Sequence, residues 1–261
     1  MREKTRVTRI LRWLIGVLLV VAGLTATWAW GEVAQLAEPE AGADTIAPAN
    51  LYALWQPAEA PRPTLFRSDD GGASWQPLDI PGEAVPTVWS AAPFATAAGQ
   101  PVAVALADGT LLVSDDSGEL WAVVDQGSPV LSLAWDQAGI LYLGTAGDGI
   151  YRLAADGTRD PLRSGETELD EGQVYHLATS QGRLVAATPT LLFTRDEATG
   201  AWTRSEPVYD GITALAALDS GPVYVGTEVS GVWMTADAGQ TWLPAGAADL
   251  GFAPGQMVAV T

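Results

Sequence analysis

The 261-residue sequence contains no cysteine, so neither a disulfide framework nor a thiolate metal site is open to it. Its one histidine excludes a histidine-rich zinc centre. Positive charge is scarce and unevenly placed. Residues 1–31 hold five of the 13 basic groups, while beyond them eight arginines and no lysine stand against 30 acids, a net charge of −22. A surface of that sign lacks the basic footprint that nucleic acids require, and it repels anionic lipid headgroups. It attracts basic protein partners and keeps a domain soluble. No cofactor is expected.

One long apolar run is present. Trp13 to Gly31 is nineteen residues without a charge, preceded by Arg2, Lys4, Arg6, Arg9 and Arg12. As a helix it would span about 28 Å, close to a bilayer core. Tryptophans 13, 28 and 30 fall where interfacial aromatics are favoured, and the basic flank keeps the N-terminus cytoplasmic. The expectation is a basic tail (1–12), an uncleaved transmembrane signal anchor (13–31), an Ala/Glu/Pro-rich tether (32–48) and a domain (49–261) outside a bacterial membrane. A cleaved signal peptide is the alternative; its cleavage site would place Trp28 or Trp30 beside the scissile bond.

The domain is built on a repeat. "RSDDGGASW" supplies Ser68, Asp70, Gly72, Ser74 and Trp75. "SDDSGELW" repeats it with Ser114, Asp116, Gly118 and Trp121, and Leu120 replaces the second hydroxyl. "TADAGQTW" gives Thr235, Asp237, Gly239, Thr241 and Trp242. A longer variant carries Thr194, Asp196, Gly200 and Trp202, and a remnant keeps only Asp156 and Gly157. The tryptophans lie 46, 81 and 40 residues apart, a period near forty that marks a propeller or solenoid. Upstream, "LYLGTAGDGIYRL" (141–153) matches "VYVGTEVSGVWMT" (223–235); each reads as a β-hairpin. The motif then forms the next turn. Glycine supplies positive φ, aspartate accepts amide hydrogen bonds, and tryptophan opens the following strand.

These residues resemble the Asp-box repeat of bacterial neuraminidases, S-x-D-x-G-x-T-W, over about residues 49–261. The resemblance implies a β-propeller with each box between the third and fourth strands of a blade. It extends to photosystem II stability and assembly factor-like proteins, which are membrane-associated propellers that bind assembling complexes. Because the box occurs in enzymes and non-enzymes alike, it speaks for fold rather than activity. Innermost strands align at 88–92, 130–134, 174–178, 212–216 and 257–261. The first blade has no such strand before it, and the sequence ends on one. The expectation is an all-β, five-bladed propeller closed by Met257 to Thr261; an open or dimer-completed ring is the alternative.

A sialidase needs an arginine cluster, a tyrosine nucleophile and a catalytic aspartate, and the Arg-Ile-Pro-like motif of that family is not matched by "PRPTLFR". Other glycosidases place paired carboxylates around the channel, yet the five innermost strands contain no Asp or Glu. Asp136 and Asp210 flank such strands, and His176 lies within one. A non-catalytic, membrane-anchored module for protein interaction, scaffolding or assembly is therefore expected. A glycan-binding or glycoside-hydrolase-like propeller, with Trp55, Trp89 and Trp135 stacking on sugar, is the other reading.

Overall fold

The computed structural model describes residues 50–154, 157–205, 211–217, 222–237 and 239–245. The expected anchor (13–31), the closing strand (257–261), Asp156 and Asp210 lie outside the described residues. The described chain folds into five successive antiparallel sheets, the blades of a five-bladed β-propeller. Blade one has β1 (Leu51–Trp55), β2 (Thr64–Ser68) and β3 (Gln76–Pro77). Blade two has β4 (Pro86–Ala91), β5 (Val102–Leu106), β6 (Thr110–Ser114) and β7 (Ala122–Gln126). Blade three has β8 (Val130–Trp135), β9 (Leu141–Thr145), β10 (Ile150–Leu153) and β11 (Arg159–Leu162). Blade four has β12 (His176–Ser180), β13 (Arg183–Ala187), β14 (Leu192–Asp196) and β15 (Trp202–Ser205). Blade five has β16 (Ile212–Ala217), β17 (Val223–Thr227), β18 (Val232–Thr235) and β19 (Leu243–Pro244). Strands β4, β8, β12 and β16 are the inner strands, each against the next, and β1 contacts β4.

The blades stack face to face, so their second strands are mostly apolar and buried. In β5 all five residues are buried. Their side chains alternate between two cores. Val102, Val104 and Leu106 join the core between blades one and two. Ala103 and Ala105 join the core between blades two and three. Strand β13 does the same, with Leu184 and Ala186 facing blade three and Val185 and Ala187 facing blade five. This is the period of two of a strand whose both faces are covered.

Close approach at the centre explains a residue shared by the two matching hairpins. Gly144 lies on the inner strands' side, where an added Cβ would sit 2.8 Å from the Val174 carbonyl oxygen. Gly226 takes the matching place in "VYVGT", 3.2 Å from the Ala214 Cβ. Bulges recur where inner strands begin, at Pro86/Val88, Val130/Ser132 and Ile212/Ala214. The alignment at 174–178 needs a correction of two residues. Val174 and Tyr175 precede β12: the Val174 amide bonds the Thr145 carbonyl of blade three, and the Tyr175 amide is the first to reach the Ala187 carbonyl of β13. Side chains also tie blade to blade: Ser132 Oγ donates to the Val174 carbonyl (2.8 Å), Trp135 Nε1 to that of Ser90 (3.2 Å), and Thr179 Oγ1 to that of Trp135 (2.6 Å).

Alternation between cores gives a testable consequence. Leu184→Ala and Val185→Ala sit side by side in sequence but in different cores. Each should destabilise by about 1–4 kcal/mol. Their double-mutant coupling should stay below about 0.5 kcal/mol in denaturant titrations, as for independent sites. Strong coupling would show that the two cores are not separate.

Candidate functional site

Three Asp boxes share one wiring. In the first, Gly72 N donates to Ser68 Oγ (2.8 Å), which itself donates to Asp70 Oδ1 (2.8 Å). Ser74 N closes on Asp70 Oδ1 (2.8 Å) and Ser74 Oγ on Oδ2 (2.6 Å). The fifth repeats this with Gly239 N to Thr235 Oγ1 (2.9 Å), Thr235 Oγ1 to Asp237 Oδ1 (2.7 Å), and Thr241 N and Oγ1 to Asp237 at 2.8 and 2.5 Å. In the second, Gly118 N donates to Ser114 Oγ (2.8 Å), which donates to Asp116 Oδ1 (2.7 Å); Leu120 N donates to the same oxygen (2.8 Å). Leu120 has no hydroxyl for Oδ2. The fourth is wired differently: Thr199 N and Oγ1 donate to Asp196 Oδ1 (2.8 and 2.9 Å), and Gly200 N donates to the Asp196 carbonyl (2.7 Å). The remnant keeps Gly157 at φ 84°.

These donors stabilise the charged carboxylate. The Ser74 hydroxyl and amide hold Asp70 down at about 2, and those of Thr241 hold Asp237 at about 2. The Leu120 amide, then Ser114, lower Asp116. Gly118, at φ 92°, has a second role: a Cβ there would strike the Leu78 side chain of blade one. Arg67 of β2 completes that junction, bonding the Ser117 carbonyl (2.9 Å) and pairing with Glu119 (2.9 Å). The box tryptophans 75, 121, 202 and 242 are half-buried. Trp121, Trp202 and Trp242 lie against the cores between successive blades.

The boxes occupy the ends of the blades where third strands turn into fourth. The opposite ends carry the 56–63, 78–85 and 163–175 connections. There Arg62 donates to the Gly82 carbonyl (2.6 Å), drawing the 78–85 connection over blade one. A cleft of about 290 Å³ lies beside it, lined by Arg62, Pro63, Thr64, Leu78, Ile80 and Pro86 among others. Between β11 and β12 the chain forms a short helix, α1 (Thr167–Asp170), whose fully buried Leu169 pins it to the core between blades three and four. Arg163 donates to the Asp170 carbonyl (2.8 Å), while the Asp170 carboxylate accepts from Ser164 N (2.8 Å) and Gly165 N (3.0 Å). Neither α1 nor the cleft had a motif in the sequence; the only clue to α1 was the lone Leu169 within "GETELDEG".

Residues considered for catalysis are dispersed. Asp136 is a turn acceptor, bonded by Ala138 N (2.9 Å), Ile140 N (2.8 Å) and Tyr142 Oη (3.3 Å). His176 is half-buried in β12, and desolvation lowers its pKa. The arginines fasten separate places. Arg159 pairs with Asp125 of blade two and lies 5.7 Å from the Tyr151 ring centroid. Arg152 pairs with Asp160 (3.1 Å) and Arg195 with Glu197 (2.5 Å). Trp89 packs at 5.8 Å from Tyr52, whereas Trp55 is 60% exposed and lies 5.7 Å from Phe66. Among the described residues no three His, Asp or Glu side chains group as metal ligands.

No known protein-family model matches the chain, and no curated protein matches its sequence. Solved structures do match. YCF48 bound to D1 peptide has 18% identity and a TM-score of 0.54, over 72% of this chain and 62% of that one. The GH74 enzyme of Niastella koreensis has 16% identity and a TM-score of 0.59, over 74% and 36%. The nidogen/laminin complex has 14% identity and a TM-score of 0.56, over 69% and 70%. The chain thus spans less than two thirds of the first two. At such identities the likeness is one of fold, a propeller of the type that the Asp boxes imply.

The box carboxylates generate a pH prediction. Their folded pKa of about 2 lies below the ordinary 3.8, so they stabilise the fold above pH 4 and lose that contribution as pH falls toward 2. Asp70→Asn and Asp237→Asn should lower Tm at pH 7, and the gap from wild type should narrow steadily between pH 4 and pH 2. A gap that is constant across this range would exclude the carboxylate charge as the source.

Proposed function

We propose that this chain is a non-catalytic propeller that binds a protein partner at a bacterial membrane. Its Asp boxes serve as scaffold, holding blade to blade rather than contacting substrate. The observation that carries the reading is the use made of the polar groups. Arginines and box aspartates are engaged by neighbouring loops, Asp136 is held in a turn, and the described inner strands β4, β8, β12 and β16 carry no carboxylate. What the fold offers is rigid, loop-built surface, the usual platform for a partner. Two of the structural neighbours are YCF48 bound to D1 peptide and a chain of the nidogen/laminin complex, which supports a protein ligand.

A glycan-directed reading has one point in its favour, the likeness to a GH74 enzyme. The two readings separate in one experiment. Full-length protein, purified from membranes in mild detergent after cross-linking, should bring down one or a few specific proteins in near-stoichiometric amount. Enrichment on a glycan array, or polysaccharide cleavage lost in Asp136→Asn or Asp210→Asn, would replace this reading with the glycan-directed one.

The membrane placement rests on residues 13–31. Carbonate-washed membranes should retain the full-length protein with its N-terminus intact; a mature N-terminus between residues 26 and 37 would leave an exported domain without an anchor.

Ring closure belongs to the same proposal. Among the described residues blade one has three strands where the others have four, and β1 stands at the edge of its sheet. Met257 to Thr261, "MVAVT", has the apolar character of the other inner strands. Pairing there would hide a strand edge that otherwise invites association. Because the chain has no cysteine, a pair of introduced ones reports proximity cleanly. Ala53→Cys combined with cysteine at each of positions 257–261 should give an intramolecular disulfide in at least one variant. Intermolecular products alone would indicate an open or strand-exchanged ring.

A further inference from the structure

The five repeats act as internal controls for one another, and the rim of blade two departs from the rest. The second hydroxyl of the box is Ser74 in blade one and Thr241 in blade five, each bonded to its aspartate at 2.6 and 2.5 Å. Blade two replaces it with Leu120, which is 75% exposed. The substitution gives up a charge-assisted hydrogen bond and places an apolar side chain in water. Three residues on, Val123 is 66% exposed. Single exposed apolar residues are ordinary; two within four residues, one of them where the repeat calls for a hydroxyl, are less so.

The edge itself is also the least defended of the five. Outer strands β3 and β19 are two residues long and end in proline, and although Leu243 is exposed its strand is too short to pair. Strand β11 contains Arg159, Asp160 and Pro161, and β15 contains Arg204. Strand β7, "AVVDQ", runs for five residues with no proline. Its one charge, Asp125, is drawn to Arg159 and only 15% exposed. A bulge opposite Leu111/Leu112 interrupts it, and Gly157 of blade three approaches its Val124 carbonyl. Proline, charge and brevity are how sheet edges are ordinarily blunted, so this edge is left open to pairing.

Charge decides the occupant. A second copy would bring another domain of net charge −22 against the same rim. On this rim Asp115 is exposed, and Asp116 lacks the hydroxyl that closes the equivalent carboxylate in boxes one and five. An ammonium or guanidinium donor would supply the missing bond. We propose that the outer rim of blade two, formed by Leu120, Val123 and Asp116, docks an extended protein segment that combines apolar residues with lysine or arginine.

The inference rests on the protein-binding reading above. Its test uses full-length protein and fluorescein-labelled, amidated ten-residue peptides, followed by anisotropy at physiological salt. The alternating Lys–Val peptide should bind, and the Lys–Ser and Glu–Val peptides should each bind at least about tenfold more weakly. Leu120→Thr, alone or with Val123→Ser, should weaken Lys–Val binding at least about tenfold while Tm holds or rises, because the threonine restores the box bond. Unchanged affinity in the variants, equal binding of the Lys–Ser peptide, or no binding of any peptide would overturn the rim assignment while leaving the co-purification result to judge the wider reading. A wild-type dimer in sedimentation that Leu120→Thr abolishes would also overturn it, by assigning the rim to a second copy.

Discussion

Blades two, three and four each bury both faces against a neighbour, and the rest of the structure follows from that constraint. An isolated four-stranded sheet covers one face at best. Here the second strands of blades two, three and four divide their side chains between two cores, as Val104 and Ala105 do on either side of β5. No blade has a core of its own. Stability is therefore shared around the ring, and each junction is a place where sequence must satisfy two blades at once. The small residues at the centre, Gly144 and Gly226, keep inner strands close enough for those cores to close.

The Asp boxes take their place within the same logic. Each converts a third-strand terminus into a tight turn, and those of blades two, four and five aim a tryptophan at the junction of two blades. Carboxylate, hydroxyl and amide satisfy one another locally, which leaves the indole free for apolar contact. Box two also reaches across to the preceding blade, through Gly118 against Leu78 and Ser117 and Glu119 against Arg67. Polar groups that would look like an active site in a list of residues are thus spent on assembly.

The function proposed for the chain is the complement of that use. With arginines fastening loops and carboxylates ordering turns, the chemical resources left over are surface, shape and negative charge. The loop face opposite the boxes supplies shape, through the cleft near Arg62 and the acidic segment around α1. The rim of blade two supplies an apolar strand edge where the repeat is broken.

The sequence alone determined the repeat, its period and the turn chemistry, because these are local. Hydroxyl, aspartate, glycine and tryptophan at fixed offsets make the same hydrogen bonds wherever they occur, and the matched hairpins at 141–153 and 223–235 announce themselves by composition. The strand ladder followed to within a residue or two. It erred at Val174 and Tyr175, which lie just ahead of β12, where the Val174 amide turns to Thr145 of blade three. Only the tertiary structure decided which groups were free. That Asp136 is held within its own turn, that Arg159 reaches Asp125 thirty-four residues away, and that Leu120 stands in solvent rather than in a core are facts of neighbours brought together by the stacking of blades. Partnership and exposure are not properties of a residue type, and no spacing along the chain encodes them.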